Sequence, residues 1–213
     1  MNPNLTDIIV IMDKSGSMDY EGKWGEAVTS FRHFIDSQMQ LPGKANITLT
    51  LFDDRPLPVL FRKDLRAVTA SIIDNYQPMG MTALLDALGS TIDSVGAALN
   101  DTPEVERPAL VSVAVITDGL ENNSVSYTHA QVKKLVEQQR DVYGWRFNFF
   151  GAGIDAFTES QQYGFTKWDT YAVRDSSKGI ADSFTIYSTS LTTQRTSEGS
   201  SYKQQKQGDG GER

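Results

Sequence analysis

The sequence contains no cysteine, and this absence removes several kinds of site at once. Disulfide bonds, zinc sites with thiolate ligands and cysteine nucleophiles are all excluded. Histidine is almost as scarce, because His33 and His129 are the two in the chain. Histidine-rich metal centres and most serine–histidine hydrolases are therefore not expected. Oxygen-bearing side chains remain as the main candidates for a functional site.

Long apolar runs and an excess of positive charge are also missing. No apolar stretch reaches the length of a membrane span, and the N-terminal residues lack the basic segment and apolar core of a secretory signal. The net charge of −7 argues against binding to a phosphate backbone, which normally requires a basic face. We therefore expect a soluble protein of the cytoplasm that binds neither membranes nor nucleic acid.

The composition is that of one globular domain followed by a polar end. With 213 residues, of which 39% are hydrophobic, the chain can bury one sizeable core. Residues 194–213 contain no aliphatic side chain, and Tyr202 is their single aromatic residue. Such a segment buries too little apolar surface to offset the entropy lost on ordering. The sequence thus predicts one domain over residues 1–193 and a disordered polar tail over residues 194–213.

Strand patterns alternate with helix patterns along the chain. Apolar runs and two-residue alternation predict strands over about 8–13, 46–53, 109–117, 145–150 and 166–173. Apolar residues at helical spacing predict helices over about 22–40, 83–99, 128–141 and 180–191. Two prolines make residues 57–61 an antiparallel edge strand, because proline cannot donate to a sheet ladder. A short helix with Leu65, Val68 and Ile72 on its inner face is expected next.

This alternation predicts an α/β fold with one central sheet. We expect a Rossmann-like, doubly wound sheet of six strands, mostly parallel, with one antiparallel edge strand and helices on both faces. Ligands of such sheets bind outside the carboxyl ends of the strands, where the strand order reverses. The two most apolar strands end at Asp13 and next to Asp118. They are therefore expected to be central neighbours that flank this point.

The first of these strands runs into the segment Asp13-Lys14-Ser15-Gly16-Ser17-Met18. Three oxygen-bearing side chains, those of Asp13, Ser15 and Ser17, are thereby placed around one small volume. Oxygen ligands suit a hard divalent cation, and Mg²⁺ more than zinc or copper. The motif alone is weak evidence, since hydroxyl groups and acids at such junctions also cap helices.

The motif resembles the start of the metal-ion-dependent adhesion site (MIDAS) of the von Willebrand factor A family, in its stand-alone bacterial or phage form. The resemblance covers about residues 6–193 and includes two further motifs in the right order, Gly80-Met81-Thr82-Ala83-Leu84 and Thr117-Asp118-Gly119. Met81 stands where the family often has a second glycine. The resemblance implies a Mg²⁺ site, with Mn²⁺ or Ca²⁺ as alternatives, whose ligands are Asp13, Ser15, Ser17, Thr82 and Asp118.

The resemblance also implies what such a site does. In the family, an aspartate or glutamate of a protein partner fills the remaining position on the metal, which favours an adaptor over an enzyme. The residues predicted to contact the partner are Lys14, Met18, Met79 and Met81, because they lie on the loops that carry the ligands and methionine suits adaptable surfaces. Two alternatives stay open: Lys14 points to solvent, and the methionines pack as ordinary core.

Two enzyme classes share parts of this pattern. A phosphatase of the haloacid dehalogenase type also begins with an aspartate after its first strand, but it needs a second acid two residues later, where Ser15 stands. A dinucleotide-binding fold needs Gly-x-Gly-x-x-Gly after the first strand, and the segment after Asp13 lacks it. A phosphatase-like hydrolase that uses Asp13 remains the alternative to a binding domain.

Overall fold

The computed structural model describes residues 1–69, 71–152 and 155–208. Strands and helices alternate along the chain, with short 3-10 turns at Gly16–Gly22, Leu65–Ala67 and Glu104–Glu106. In order, the elements are β1 (Asn2–Asp13), α1 (Lys23–Met39), β2 (Lys44–Phe52), β3 (Pro56–Asp64), α2 (Leu84–Asn100), β4 (Pro108–Thr117), α3 (His129–Asp141), β5 (Arg146–Ala152), α4 (Ala156–Gln162), β6 (Thr170–Val173) and α5 (Ser177–Gly208).

The six strands form one sheet in the order β3-β2-β1-β4-β5-β6. All neighbouring pairs are parallel except β2 and β3, so that β3 is an antiparallel edge strand. The predicted fold class is thereby confirmed. The chain winds outward from β1 to β2 and β3 on one side, and from β4 to β6 on the other. The strand order therefore reverses between β1 and β4, as the sequence predicted, and Asp13 and Asp118 lie at the same edge.

Helices cover both faces of the sheet because β1 is apolar on both of its sides. Ile8, Val10 and Met12 are fully buried in one core, which includes residues of α1 and α5. Ile9 and Ile11 are fully buried in a second core with residues of α2 and α3. Successive side chains of a strand point to opposite faces, and a strand buried on both faces therefore reads as a continuous apolar run. This double burial fixes β1 at the centre of the molecule.

Several predicted elements differ from the structure in extent; β1, for example, begins at Asn2 instead of about residue 8. The helix expected around 65–72 is only the 3-10 turn Leu65–Ala67, because Val68 takes an extended backbone that ends it. As a result Ile73, rather than Ile72, is buried in the core. The last strand begins at Thr170 instead of Thr166. The Thr166 amide and hydroxyl both donate to Asp169, which closes a turn before the strand.

Helix α5 continues beyond residue 193, where the sequence predicted a disordered tail. Residues 194–208 belong to α5, and Arg195 is 9% exposed. Its guanidinium donates to the backbone oxygen of Gln38 at 2.8 Å and to Gln38 Oε1 at 3.0 Å. Arg195 is therefore held by backbone and side-chain oxygens at the end of α1, which composition does not show. The boundary at residue 193 and the disorder of the tail stay predictions. Residues 209–213 of the predicted tail lie outside the described residues.

Within the described ranges, no helix combines the length and apolar character needed to cross a bilayer.

Candidate metal site

Asp13 is the last residue of β1, and its carboxylate is fully buried and held on both sides. The Ser15 amide donates to Asp13 Oδ1 at 2.7 Å, and the Thr117 hydroxyl donates to Oδ2 at 2.6 Å. Burial raises the pKa of Asp13 to about 6, although the hydrogen bonds from Thr117 and Ser15 oppose the rise. The neighbouring charge of Asp118 adds to it. The carboxylate is therefore fixed in place at a high electrostatic cost, which a bound cation would relieve.

Both serines of the first motif connect to Asp118. The hydroxyl oxygens of Ser15 and Ser17 lie 3.0 Å apart, and Ser17 donates to Asp118 Oδ1 at 2.6 Å. Asp118 follows β4 directly, and its side chain is fully buried. Two residues that are 101 positions apart in the chain are thus in contact. The parallel pairing of β1 with β4 brings them together, since the carboxyl ends of parallel strands lie at the same edge.

Thr82 completes the group of five predicted ligands. Its side chain is buried, and it lies against Gly119 on the loop after β4. A Cβ atom on Gly119 would stand 3.2 Å from Thr82 Oγ1 and 3.8 Å from Asp13 Oδ2. The Thr82 and Asp13 oxygens therefore lie on the same side of Gly119. Asn122 fixes this arrangement, because it accepts from the Thr82 amide at 2.8 Å and donates its own amide to the Thr82 carbonyl at 3.1 Å.

The loop before Thr82 is joined to the first motif by backbone hydrogen bonds. The Gly16 amide donates to the Gly80 carbonyl at 3.1 Å, and the Met79 amide donates to the Lys14 carbonyl at 2.9 Å. Gly80 has a φ of +73°, and a Cβ there would stand 2.8 Å from the carboxylate of Asp54. Only a glycine fits this position. Met81 does not adopt a positive φ, so its replacement of the family's second glycine leaves the loop intact.

Glu121 holds the loop after β4 against α2. Its carboxylate accepts from the Leu85 amide at 2.8 Å, in the first turn of α2, and from the Ser124 amide at 2.7 Å. An acid suits this place because the first amides of a helix have no partner within the helix. Glu121 thereby joins the loop that begins at Asp118 to the helix that follows Thr82. No sequence signal connects residues 85 and 121, so this role could not be predicted.

Lys23, the first residue of α1, is a component of the site that the sequence did not predict. The side chain is 6% exposed, and its ammonium contacts Asp118 Oδ2 and, at 2.7 Å, Asp175 Oδ1. Burial disfavours the charged form, but the hydrogen bonds to the two carboxylates outweigh it and raise the pKa of Lys23. Lysines are almost never buried unless they are paired. A positive charge therefore lies directly on one of the predicted metal ligands.

Two of the residues predicted to contact a partner are inaccessible. Lys14 is 5% exposed, and its ammonium pairs with Asp53, so it points neither to solvent nor to a partner. Met18 is fully buried in the core, because the 3-10 turn Gly16–Gly22 directs it inward. Both assignments were wrong for the same reason: sequence places a residue on a loop but does not show which way its side chain points. Met79 and Met81 are 61% and 48% exposed.

The donor set itself indicates what the site can hold. Among the described residues, no three histidine, cysteine or acidic side chains converge as they would in a zinc or multi-carboxylate centre. Two carboxylates and three hydroxyls converge instead, on loops that hydrogen bonds hold in place. Oxygen ligands of this kind fit a hard divalent cation such as Mg²⁺, which takes few carboxylates and retains water. The residues present therefore fit the metal that the sequence resemblance implied.

No family model matches the chain, but it is similar to two curated malaria parasite proteins. It is 28% identical over 142 residues to "Sporozoite surface protein 2" of Plasmodium yoelii yoelii, a match that covers 61% of this chain and 16% of that protein. It is 29% identical over 126 residues to "Thrombospondin-related anonymous protein" of Plasmodium berghei (strain Anka), covering 55% of this chain and 20% of that protein. The chain thus matches only about a fifth or less of the length of these relatives.

Solved structures identify the fold. The "von Willebrand factor type A" structure from Catenulispora acidiphila superposes with a TM-score of 0.60 at 19% identity, covering 86% of this chain and 42% of that one. The vWF domain of the type V pili tip protein Mfa5 from Porphyromonas gingivalis gives 0.61 at 10% identity, covering 88% and 95%. Proximal thread matrix protein 1 from the mussel byssus, solved with a zinc-occupied MIDAS motif, gives 0.59 at 18% identity, covering 86% and 46%. The chain has the fold of a von Willebrand factor A domain.

Proposed function

We propose that this domain binds a divalent cation and, through that cation, a carboxylate of a protein partner. The observation that carries the proposal is the convergence of oxygen side chains from three separate loops at the reversal point of the sheet. The Ser15 amide donates to Asp13, the Ser15 hydroxyl contacts that of Ser17, and Ser17 donates to Asp118. Thr82 lies beside Asp13 across Gly119. The proposed ligands are Asp13, Ser15, Ser17, Thr82 and Asp118.

Mg²⁺ is the cation that we propose, with Mn²⁺ and Ca²⁺ as alternatives. Three of the five ligands are neutral hydroxyls, and the two carboxylates balance the charge of a divalent ion. When bound, Mg²⁺ would supply a positive centre with strict octahedral geometry and exchangeable positions for further oxygen ligands. Support comes from the mussel protein of the same fold, whose MIDAS motif holds zinc. A carboxylate from a partner is the anionic ligand that suits such a centre.

The surface around the site supports a protein as the source of that carboxylate. Large apolar side chains are exposed on each of the three loops that carry the ligands. The 3-10 turn after Ser15 exposes Tyr20 (72%), and the loop before Thr82 exposes Met79 and Met81. The loop after Asp118 exposes Leu120 (45%) and Val125 (92%). Apolar residues grouped around a polar centre are typical of protein interaction sites.

The metal can be tested by thermal denaturation with and without Mg²⁺. A ligand that binds only the folded state stabilises it by mass action, so millimolar Mg²⁺ should raise the melting temperature. Asp118→Ala should abolish this rise, because it removes one carboxylate from the site. Asp101→Ala, at an exposed position after α2, should keep the full response. An equal Mg²⁺ response in Asp118→Ala and the unaltered protein would refute the assignment of the site.

The carboxylate can be tested separately with a partner captured from the native host in Mg²⁺. Release by EDTA, together with failure of Asp118→Ala to capture the same protein, would support a metal-bridged contact. Replacing the partner's acidic residues by amides should then release it. Capture that is indifferent to EDTA and to Asp118→Ala would refute the second part of the proposal.

We propose further that the domain is not an enzyme. Asp13 is fully buried, and both of its carboxylate oxygens accept hydrogen bonds, which does not suit a nucleophile that must reach a phosphate. Ser15 stands where a phosphatase would need its general acid. The purified protein should therefore not hydrolyse p-nitrophenyl phosphate or nucleotides. Steady turnover that is lost in Asp13→Asn would favour the phosphatase alternative. The cytoplasmic location expected from the sequence stays a prediction.

A further inference from the structure

Lys23 lies between two carboxylates that belong to different parts of the fold. Its ammonium contacts Oδ2 of Asp118, a proposed metal ligand, and Oδ1 of Asp175 at 2.7 Å. The Asp118 side chain is fully buried, whereas the Asp175 side chain is 52% exposed. Asp175 lies just before α5, on the segment that follows β6. The buried ammonium of Lys23 is thus shared between the metal site and a carboxylate outside it.

The position of Lys23 conflicts with that of a metal. A divalent ion that takes Asp118 as a ligand brings positive charge to the carboxylate on which the ammonium already lies. Like charges repel strongly where water is excluded, because the effective dielectric constant is low. The lysine therefore neutralises part of the negative charge of Asp118 that would otherwise attract the metal. When no metal is present, it stabilises the buried Asp118 carboxylate. A buried, unpaired carboxylate would otherwise be costly.

Asp175 provides the ammonium with another partner. Asp175 already accepts a hydrogen bond from Lys23 at 2.7 Å. Because its side chain is 52% exposed, water can also solvate the Asp175 carboxylate. When a cation takes Asp118, Lys23 can keep its bond to Asp175 and remain charged. Without Asp175, the ammonium would have to stay on Asp118 or lose its last acidic partner.

We propose that Lys23 competes with the divalent cation for Asp118, and that Asp175 holds Lys23 when the metal displaces it. This inference rests on the proposed function, because it concerns the same metal site. The lysine lowers the affinity of the site for metal, and Asp175 partly restores it. Metal affinity is thereby set by a residue pair, Lys23 and Asp175, neither of which is itself a ligand.

The test measures the Mg²⁺ concentration at the midpoint of binding, by isothermal titration and by the rise in melting temperature. Lys23→Gln removes the charge but leaves an amide that can donate to Asp118, and it should lower the midpoint about tenfold. Asp175→Asn should raise the midpoint several-fold. In the double variant, Asp175→Asn should have no further effect on the midpoint, because Asp175 acts on metal binding only by holding the Lys23 ammonium. The double variant should therefore match Lys23→Gln.

The double variant separates this mechanism from general electrostatics. If Asp175 acted only through its negative charge, Asp175→Asn would weaken Mg²⁺ binding equally with and without Lys23, and that result would overturn the proposal. Arg62→Gln is the matched control, since Arg62 pairs with a buried carboxylate, that of Asp7, which is not a proposed ligand. Its Mg²⁺ midpoint should stay within about twofold of that of the unaltered protein.

Failure of the inference and failure of the proposed function give different results. If the unaltered protein shows no Mg²⁺ response that depends on Asp118, the metal site itself is refuted. If that response is present but Lys23→Gln has an unchanged or raised midpoint, only the role of Lys23 is refuted. Should Lys23→Gln fail to fold, Asp175→Asn still decides, because it alters a half-exposed side chain. An unchanged midpoint in that variant would overturn the proposal.

Discussion

The hydroxyl of Thr117 donates a 2.6 Å hydrogen bond to Oδ2 of Asp13, and this bond joins the last residues of β4 and β1. Both residues are buried, so the bond is not weakened by solvent. It orients the carboxylate that the Ser15 amide holds from the other side. Thr117 is therefore a residue that positions a proposed ligand without binding the metal itself. The sequence motif predicted its neighbour Asp118 as a ligand and assigned no role to Thr117.

Thr117→Val should destabilise the protein by about 1–3 kcal/mol at neutral pH, because it leaves a buried carboxylate without one of its donors. The substitution keeps the shape of the side chain, which makes loss of the hydroxyl the dominant effect. Denaturant unfolding in EDTA would measure it. Thr91→Val is a suitable control, since Thr91 is also buried but pairs with the neutral hydroxyl of Thr50. An equal loss of unfolding free energy in both variants would show that the hydrogen bond to Asp13 contributes no more to stability than one between two hydroxyls.

The stability of the metal-free protein should depend on the protonation of Asp13. Burial raises the pKa of Asp13 to about 6 from its ordinary value of 3.8, so the folded state binds a proton more tightly than the unfolded state. The stabilisation from this proton is full below about pH 4 and is lost as the pH rises to about 6. The loss is about 3 kcal/mol.

The comparison with Asp13→Asn isolates this effect, because asparagine does not titrate. In EDTA, the unfolding free energy of the unaltered protein should fall relative to that of Asp13→Asn between pH 4 and pH 6. A constant difference between the two across this range would contradict the raised pKa. Mg²⁺ should stabilise the unaltered protein more at pH 7.5 than at pH 5, since the metal requires the ionised carboxylate.

Replacing Met79 and Met81 together by serine should weaken partner binding and leave the Mg²⁺ response intact. Both side chains are exposed, so neither stabilises the core, and both lie on the loop that carries Thr82. The affinity for the captured partner should fall about tenfold or more, as for a small group of buried interface residues. It can be measured by surface plasmon resonance in Mg²⁺.

A matched control for the methionines is available at the opposite end of the sheet. Val105 and Val142 are 75% and 69% exposed, and they precede β4 and β5. Replacing both by serine removes a similar amount of exposed apolar surface far from the site. The control should bind the partner normally. If the methionine pair also binds normally, or if it unfolds, these side chains do not form the rim of the site.

Arg195→Ala should lower the unfolding free energy by about 1–3 kcal/mol, although it lies in the segment that composition predicted to be disordered. The guanidinium donates to two oxygens of Gln38, which is fully buried near the end of α1. Without it, the backbone oxygen of Gln38 loses a partner. Arg55→Ala, at an exposed position, should cost much less. Equal stability of the two variants would support the original boundary at residue 193.

Most of the fold could be predicted from local patterns. The apolar run from Ile8 to Met12 predicted a strand buried on both faces, and the structure places β1 at the centre of the sheet. Pro56 and Pro58 predicted the edge strand, because proline cannot donate a ladder bond. These predictions succeeded because the apolar character of a side chain and the missing amide hydrogen of proline are properties of the residue itself. They can therefore be read from the sequence without knowing which segments pack together. The same reasoning, joined to a family resemblance, predicted which oxygen side chains meet.

The direction of individual side chains and the pairing of distant charges were decided by the tertiary structure. Met18 and Met79 have the same chemistry and both lie on loops beside the site, yet one is fully buried and the other is 61% exposed. Lys23 reads as a solvated residue at a helix start, but the packing of α1 and the segment before α5 place it between Asp118 and Asp175. The ion pair that it forms spans 152 positions of the chain. Composition and spacing describe each segment alone, whereas burial and charge pairing depend on which segments pack together.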